Sequence, residues 1–182
     1  MKTINLYTDG ACSNNQSDQN IGGWGTILEY GDNVKTLYGG QVNTTNNIME
    51  MTAVISGLKA LKSTQVKVNV FSDSAYVVNC FNQNWYKKWQ MNGWINSAKK
   101  PVENKELWVE LIDLVESISE IHFYQVKGHL KVGTKDFDKW HNKFNQQFGT
   151  VSKDFYAHLI ERNNEADALA NQGVDDIKAA LI

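Results

Sequence analysis

The sequence predicts an α/β fold in which helices cover a mixed sheet. Three observations predict it. The first 42 residues contain three segments of strand character, apolar residues then recur every three to four positions, and strand and helix patterns alternate from there to the C-terminus. At 182 residues, with no repeat or low-complexity linker, the chain is long enough to bury one core. We therefore expect a single domain over residues 1–182.

The first three strands are predicted to form an antiparallel meander. Residues 4–8 alternate in polarity, which predicts a strand that ends at the turn signal Asp9-Gly10. Residues 23–30 and 34–42 are predicted as the next two strands, on either side of a Gly-Asp-Asn turn.

Helices and strands are predicted to alternate after the meander. Apolar residues from Ile48 to Leu61 have helical spacing, and residues 44–47 supply N-cap candidates. The later predicted elements are, in order, a strand over 66–71, a short helix, a helix over 107–115, a fifth strand over 121–126 and a helical C-terminal part.

Composition and charge exclude several classes of protein. Hydrophobic residues make up 42% and charged residues 21%, which argues against long disordered regions. No apolar run reaches the ~18 residues of a membrane span. The N-terminus lacks the apolar core of a secretory signal, and Cys12 and Cys80 are too few for a disulfide framework, so we expect a cytoplasmic protein. A net charge of −2 excludes a globally basic nucleic-acid binder.

Two of four candidate carboxylates lie at predicted strand ends, where α/β proteins commonly carry their catalytic residues. Asp9 and Asp73 end the first and fourth predicted strands, Glu50 lies near the start of the first helix, and Asp167 lies in the helical segment 162–170. Carboxylates that converge repel one another, which raises their pKa values unless cations are present. Hard oxygen ligands favour Mg²⁺ or Mn²⁺, and two such ions about 4 Å apart can clamp the attacking water and the leaving oxygen of a phosphodiester.

Each of these residues also has a structural interpretation. Asp9 can belong to a turn, Glu50 to a capping box with Asn47, and Asp73 can cap a helix. Asp167 can be a surface residue of its helix, and His129 an exposed loop residue. Spacing alone does not show that the carboxylates converge.

Several segments, taken in order, resemble bacterial-type ribonuclease HI. They are Tyr7–Cys12, Thr44–Met51, Ser72–Tyr76, Val126–His129 and Asn163–Ala170. The resemblance covers nearly the whole chain apart from roughly residues 130–160. It implies a five-stranded mixed sheet with three antiparallel and two parallel strands, and a helical insertion before the C-terminal helix. It also implies endonucleolytic hydrolysis of the RNA strand of RNA–DNA hybrids, leaving 5′-phosphate and 3′-hydroxyl ends.

The resemblance implies catalytic roles for five residues. Asp9 would bridge two Mg²⁺ ions, for which Mn²⁺ can substitute. Glu50 and Asp73 would hold one ion, and Asp167 would help to hold the ion that carries the attacking water. His129, on a mobile loop, would shuttle a proton or assist product release, because imidazole changes charge near neutral pH.

Substrate contacts follow from the same resemblance. The groups expected to reach the minor groove, where the 2′-hydroxyl distinguishes RNA from DNA, are the backbone at Gly10 and Cys12 and the residues Asn15, Asn46 and Asn47. Thr45 would contact a DNA phosphate, and Asn163, in the family's final motif, is also expected to bind the substrate. The structural alternative for Asn46 and Asn47 is helix capping.

Residues 84–105 resemble the family's basic handle. This segment holds five lysines and one glutamate. Its charge alone is equally consistent with a solvated face that binds no nucleic acid. The expected contacts with the nucleic-acid backbone are Lys87, Lys88, Trp89, Lys99 and Lys100. The tryptophans at 85, 89 and 94 are predicted to pack rather than to stack on bases. Two departures from the family are Gln90-Met91-Asn92, where basic residues are common, and Ala75, where a glutamine is common.

The chain departs most from the family between His129 and Asp167, where 37 residues replace a short loop. An apolar stripe from Phe137 to Phe148 predicts a helix, and a second helix is predicted to begin near Phe155. The insertion is interpreted either as a helix packed on the body or as a lid or accessory substrate surface. It also adds Asp136 and Asp138 as rivals for the fourth carboxylate, but the motif around Asp167 favours Asp167. His141 and His158 lack metal-site spacing and are predicted as surface residues.

The sequence thus predicts a Mg²⁺-dependent ribonuclease that acts on RNA–DNA hybrids as a monomer without a membrane association. Two alternatives are a non-catalytic hybrid-binding module and a DNA nuclease or strand-transfer enzyme of the same fold. The four carboxylates argue against the first alternative, and the asparagine pair and the handle argue against the second.

Overall fold

A computed structural model describes residues 1–13 and 20–182. The elements are β1 (Lys2–Ser13), β2 (Ile21–Tyr30), β3 (Asn33–Val42), α1 (Asn46–Lys59), β4 (Val66–Ser72), α2 (Ala75–Asn82), α3 (Trp85–Asn92), α4 (Lys105–Ser117), β5 (Glu120–Gln125), α5 (Lys135–Phe148) and α6 (Lys153–Ala180). None of the helices in these two ranges combines the length and the apolar character needed to cross a membrane.

The strands form one five-stranded sheet in the order β3-β2-β1-β4-β5. β1 pairs antiparallel with β2, and β2 pairs antiparallel with β3. β4 runs parallel to both β1 and β5. The predicted mixed sheet, with an antiparallel meander followed by two parallel strands, is therefore confirmed.

β1 is longer than predicted. Its parallel pairing with β4 ends at Thr8 opposite Ser72, but its antiparallel pairing with β2 continues to Ser13 opposite Ile21. The prediction that the strand ends at Asp9-Gly10 is wrong, because the ladder with β2 keeps that dipeptide extended. Asp9 lies instead where β1 loses β4 as its neighbour.

The sheet separates two hydrophobic clusters, because successive side chains of a strand point to opposite faces. Leu6 of β1 belongs to the first cluster, which is built largely on α1, α2 and α4 and contains the fully buried Trp108. Tyr7, the next residue, belongs to the second cluster, which includes buried side chains of α5 and α6. The insertion therefore contributes to the core on one face of the sheet.

The insertion contains α5 and the first part of α6. Phe137 and Phe144 of α5 are buried, and their rings pack against Tyr156 of α6 at centroid distances of 5.3 and 5.4 Å. This packing supports the interpretation of an added helix on the body. The second predicted helix is not separate from the C-terminal helix, because α6 runs unbroken over 28 residues from Lys153 to Ala180.

His141 and His158 are partly exposed, in agreement with the prediction of surface residues, but both also make specific contacts. Both are half-buried and hydrogen-bonded. His141 Nε2 lies 2.9 Å from the Val151 carbonyl oxygen, and His158 Nε2 lies 2.8 Å from Glu29 Oε2. The His141 contact joins α5 to the residues just before α6. The His158 contact joins α6 to the distant strand β2.

Candidate active site

Three of the predicted carboxylates converge at one edge of the sheet. One carboxylate oxygen from each of Asp9, Glu50 and Asp73 lies within 4.8 Å of the other two. Asp9 and Glu50 are each 3% exposed, and Asp73 is half-buried. The convergence that spacing alone did not show is thus present in the folded chain.

Strand register and a close backbone approach bring these side chains together. The pairing of Thr8 with Ser72 places the residues that follow them, Asp9 in β1 and Asp73 just after β4, side by side. Gly10 allows β1 to touch α1, since a Cβ at Gly10 would lie only 2.6 Å from the backbone nitrogen of Glu50. A larger residue at this position would push α1, and with it the Glu50 carboxylate, away from Asp9.

The structural alternatives for these three carboxylates are wrong. Asp9 lies in an extended strand rather than a turn. Thr45 caps α1, with its Oγ1 accepting a hydrogen bond from the Ile48 backbone N–H at 3.2 Å, so Glu50 has no capping role with Asn47. Ser74 caps α2 in the same way, which leaves the Asp73 side chain free.

The electrostatics of the cluster favour a bound cation. Burial, with the nearby Asp73 charge, raises the pKa of Asp9 to about 8. Burial also raises the pKa of Glu50 well above its ordinary value, and it raises the pKa of Asp73. Glu50 Oε2 is buried and accepts no hydrogen bond from any residue that the structure describes. An orphaned carboxylate oxygen inside a set of hard oxygen donors fits Mg²⁺ or Mn²⁺.

Asp167 and His129 lie at the rim of the same cleft, which has a volume of about 390 Å³. Asp167 is outside the tight group of three, and its Oδ2 lies 3.9 Å from His129 Nδ1. Small buried residues of α6, Ala166 and Ala170, pack against the sheet and hold Asp167 at this edge. The His129 side chain is 77% exposed, so its imidazole can move within the cleft.

The rival Asp138 lies elsewhere. It is in the first turn of α5, exposed, and pairs with Lys153 at 3.5 Å. Neither Asp138 nor its neighbour Asp136 lines the carboxylate cleft. The structure thus gives Asp138 the solvent-facing position expected for a residue of the inserted helix.

The predicted minor-groove residues divide into two groups. Gly10, Asn46 and Asn47 line the carboxylate cleft, and the capping alternative for the two asparagines is wrong because Thr45 fills that role. Cys12 is half-buried on β1, with its Sγ 3.8 Å from the Thr44 carbonyl oxygen, and it does not line the cleft. Asn15 lies outside the described residues.

The expectation that Asn163 contacts the substrate is wrong. Its side chain is 1% exposed and does not line the cleft, so it offers no surface for substrate contact in this structure. The motif that contains it is helical, and the face of α6 that carries Asn163 and Ala166 is buried. Position in a motif did not reveal which face of the helix would point inward.

The basic handle is built on tryptophans whose rings pack at tilted angles. Trp89 of α3 lies between Trp85 and Trp94, with ring centroids 6.4 and 5.9 Å away, and also contacts the buried Trp108 at 5.6 Å. The packing role predicted for these tryptophans is confirmed. Four lysines of the same segment are exposed, namely Lys87, Lys88, Lys99 and Lys100. The handle therefore presents its charges from a packed support.

Sequence reasoning missed two features near the site. A Cβ at Gly128 would lie 2.6 Å from Asp73 Oδ2, so the glycine makes room for that carboxylate. A second cleft of about 380 Å³ runs from Asp73 to Trp140 and Lys143 of α5. Its only signal in the sequence was the four-residue spacing of Lys135, Lys139 and Lys143 within the insertion.

Comparison with known proteins agrees with this site. The family model described as RNase H matches residues 1–175. A ribonuclease H of Acetivibrio thermocellus is 51% identical over 129 residues, which are 71% of this chain and 84% of that protein. A ribonuclease H of Symbiobacterium thermophilum is 48% identical over 132 residues, or 72% of this chain and 86% of that one. Both relatives are shorter than this chain, in keeping with an insertion here.

Solved structures show the same fold. LC9-RNase H1, a type 1 RNase H with the type 2 active-site motif, superposes with a TM-score of 0.70 at 23% identity, covering 96% of this chain and 73% of that one. LC11-RNase H1, solved in complex with an RNA/DNA hybrid, superposes with a TM-score of 0.60 at 19% identity, covering 96% of this chain and 98% of that one. The family match, the curated relatives and the converging carboxylates together show that this chain belongs to the RNase H family of enzymes.

Proposed function

We propose that this enzyme hydrolyses the RNA strand of RNA–DNA hybrids endonucleolytically, leaving 5′-phosphate and 3′-hydroxyl ends. The observation that carries the proposal is the group of Asp9, Glu50 and Asp73 in a cleft that Asn46 and Asn47 also line. The relatives named ribonuclease H and the hybrid bound in the LC11-RNase H1 structure support this substrate. We also propose that the enzyme acts as a monomer in the cytoplasm.

Asp9, Glu50, Asp73 and Asp167 are the residues that would hold Mg²⁺, with Mn²⁺ as a substitute. Two such ions, when bound, would stabilise the negative charge on the attacking water and on the leaving 3′-oxygen. The Glu50 oxygen that accepts no hydrogen bond from the described residues supports this role. The separation of Asp167 from the other three supports its assignment to a second ion rather than the first.

The remaining residues would bind the substrate and move protons. Asn46 and Asn47 would read the 2′-hydroxyl in the minor groove, which excludes a DNA duplex. Handle lysines would hold phosphates away from the reacting bond. The His129 imidazole would take a proton from the attacking water, whose oxygen would form a new bond to phosphorus as the bond between phosphorus and the 3′-oxygen breaks. The 3′-oxygen would then take up a proton and leave as the 3′-hydroxyl.

The test compares labelled RNA–DNA hybrid, double-stranded RNA and double-stranded DNA of one sequence, with Mg²⁺ and with a chelator. We expect cleavage of the RNA strand of the hybrid alone, only with Mg²⁺, and products that a 5′-phosphate-dependent exonuclease degrades. Binding without cleavage would instead identify a hybrid-binding module. Cleavage of double-stranded DNA would identify a DNA nuclease.

A further inference from the structure

The insertion builds a cleft that continues from the carboxylate cleft. Asp73 and His129 line both clefts. From there the second cleft passes Lys127 and reaches Trp140 and Lys143 on α5. A polymer bound at the carboxylates thus has a continuous path onto the inserted helix.

Three ammonium groups surround the indole of Trp140, which lines this second cleft. The Nζ atoms of Lys127, Lys139 and Lys143 lie 5.1, 5.7 and 4.3 Å from the centroid of Trp140. All three distances fall within the about 6 Å range of a cation–π interaction. None of the three lysines forms an ion pair with a carboxylate in residues 1–13 or 20–182. Like charges held together without an anionic partner suit a bound polyanion.

Helix α5 is anchored at both ends. Thr134 caps its N-terminus, and Phe137 and Phe144 are buried in the second cluster. At the other end, Asn145 Oδ1 accepts a 2.9 Å hydrogen bond from the Val151 backbone N–H, which joins α5 to the turn before α6. These contacts favour a fixed surface over a lid.

We propose that Lys139 and Lys143, positioned by Trp140 and supported by Lys127, bind phosphates of the RNA strand beyond the cleaved bond. The inference rests on the proposed function. The RNA strand is assigned because Asp73 belongs to both clefts, so the strand cleaved at Asp73 is the strand that continues past it. Lysine chains already cover Trp140, so its ring positions ammonium groups and does not stack on a base.

The test compares charge-removing, charge-keeping and control variants of exposed lysines. The test pair is Lys139→Gln with Lys143→Gln, and the same positions changed to Arg keep the charge. The control pair is Lys35→Gln with Lys62→Gln, which removes the same charge at exposed positions that line neither cleft and make no cation–π contact with Trp140. Kd for a fluorescent hybrid is measured in a chelator across a salt series, and kcat and KM are measured in Mg²⁺.

We expect the Gln test pair to raise Kd and KM about 10-fold near 0.15 M salt. We also expect the slope of log Kd against log salt concentration, called the salt slope, to fall in magnitude by about 1 to 2. The Arg pair and the control pair should match the wild type, and kcat should stay within about 2-fold in all of them. Equal Kd and salt slope in the test and control pairs would overturn the proposal. Kd is measured without turnover, so this result does not depend on cleavage. A wild type that does not cleave the hybrid would count against the proposed function only.

A second measurement tests the assignment to the RNA strand. Uncharged methylphosphonate linkages are placed near the cleavage site in either the RNA or the DNA strand. We expect the wild type and the Gln test pair to bind equally well only when the RNA strand carries the uncharged linkages. If the wild type and the Gln test pair instead bind equally well only when the DNA strand carries the uncharged linkages, the assignment to the RNA strand is overturned.

Discussion

Arg162 Nε donates a 2.8 Å hydrogen bond to Glu29 Oε2 and thereby ties α6 to the second strand of the sheet. The same carboxylate accepts a hydrogen bond from the Tyr7 hydroxyl at 2.9 Å and lies 2.8 Å from His158 Nε2. Glu29 is only 8% exposed. Burial raises its pKa, but the hydrogen bonds from Arg162, His158 and Tyr7 outweigh burial and hold the pKa below its ordinary value. This network stabilises the part of α6 that the insertion extends.

Glu29→Gln should lower the free energy of unfolding by about 2 kcal/mol, since a charged acceptor of several hydrogen bonds is lost. The folded-state pKa of Glu29 is lowered, so its contribution is fully present above the ordinary value of 4.5 and is lost as pH falls through the lower folded value. Urea unfolding of the wild type and the Glu29→Gln variant across pH 3 to 8 measures the difference in their free energies of unfolding. A stability difference that grows on acidification would contradict the network.

Asp9→Asn should abolish cleavage and leave hybrid binding largely intact. Asp9 belongs to a group of three carboxylates whose oxygens lie within 4.8 Å of one another, so its loss removes charge from the whole cation site, whereas binding depends on groove and phosphate contacts. Single-turnover cleavage and hybrid binding without Mg²⁺ measure the two effects. Activity within a few-fold of wild type would refute the two-ion assignment.

Asp167→Asn should lower kcat on the order of 10²-fold, as loss of a transition-state charge partner does. Asp138→Asn is the matched control and should cost little, because Asp138 is exposed and pairs with Lys153. Mg²⁺ titration of both variants distinguishes them. Weakened Mg²⁺ activation in Asp138→Asn alone would show that the fourth carboxylate is misassigned.

Gly128→Ala should lower kcat about 10-fold by displacing a charged group from the reacting centre. A Cβ at this position would lie 2.6 Å from Asp73 Oδ2, so the carboxylate has to move. The melting temperature should change little, because Asp73 is at the edge of the sheet and not in the core. Wild-type kcat in a folded Gly128→Ala variant would show that the Asp73 position is not critical.

Neutralising Lys87, Lys88, Lys99 and Lys100 should raise KM more than it lowers kcat. These lysines are exposed on the handle, away from the carboxylate cleft, and phosphate contacts there act on binding and its salt slope. Steady-state kinetics across a salt series measures the effect. An unchanged salt dependence would mean that the handle lysines form only a solvated face.

Local patterns were enough to predict most of the fold. The meander, the helix that begins near Asn46 and the aromatic helix of the insertion each follow from the spacing of nearby apolar residues. The ordered motifs were enough to indicate the RNase H family, because each holds its chemistry within a few neighbouring residues. Asp9, Glu50 and Asp73 each lie in one of these motifs.

Contacts between distant residues decided the rest. Pairing with β2 keeps Asp9-Gly10 extended, although that dipeptide alone favours a turn. The burial of Asn163 and the bonds of Glu29 depend on which face of α6 meets the sheet. Lys127 joins Lys139 and Lys143 around Trp140 only because α5 packs beside the end of β5. Each of these features depends on hydrogen bonds or packing across the fold, and no local spacing carries that information.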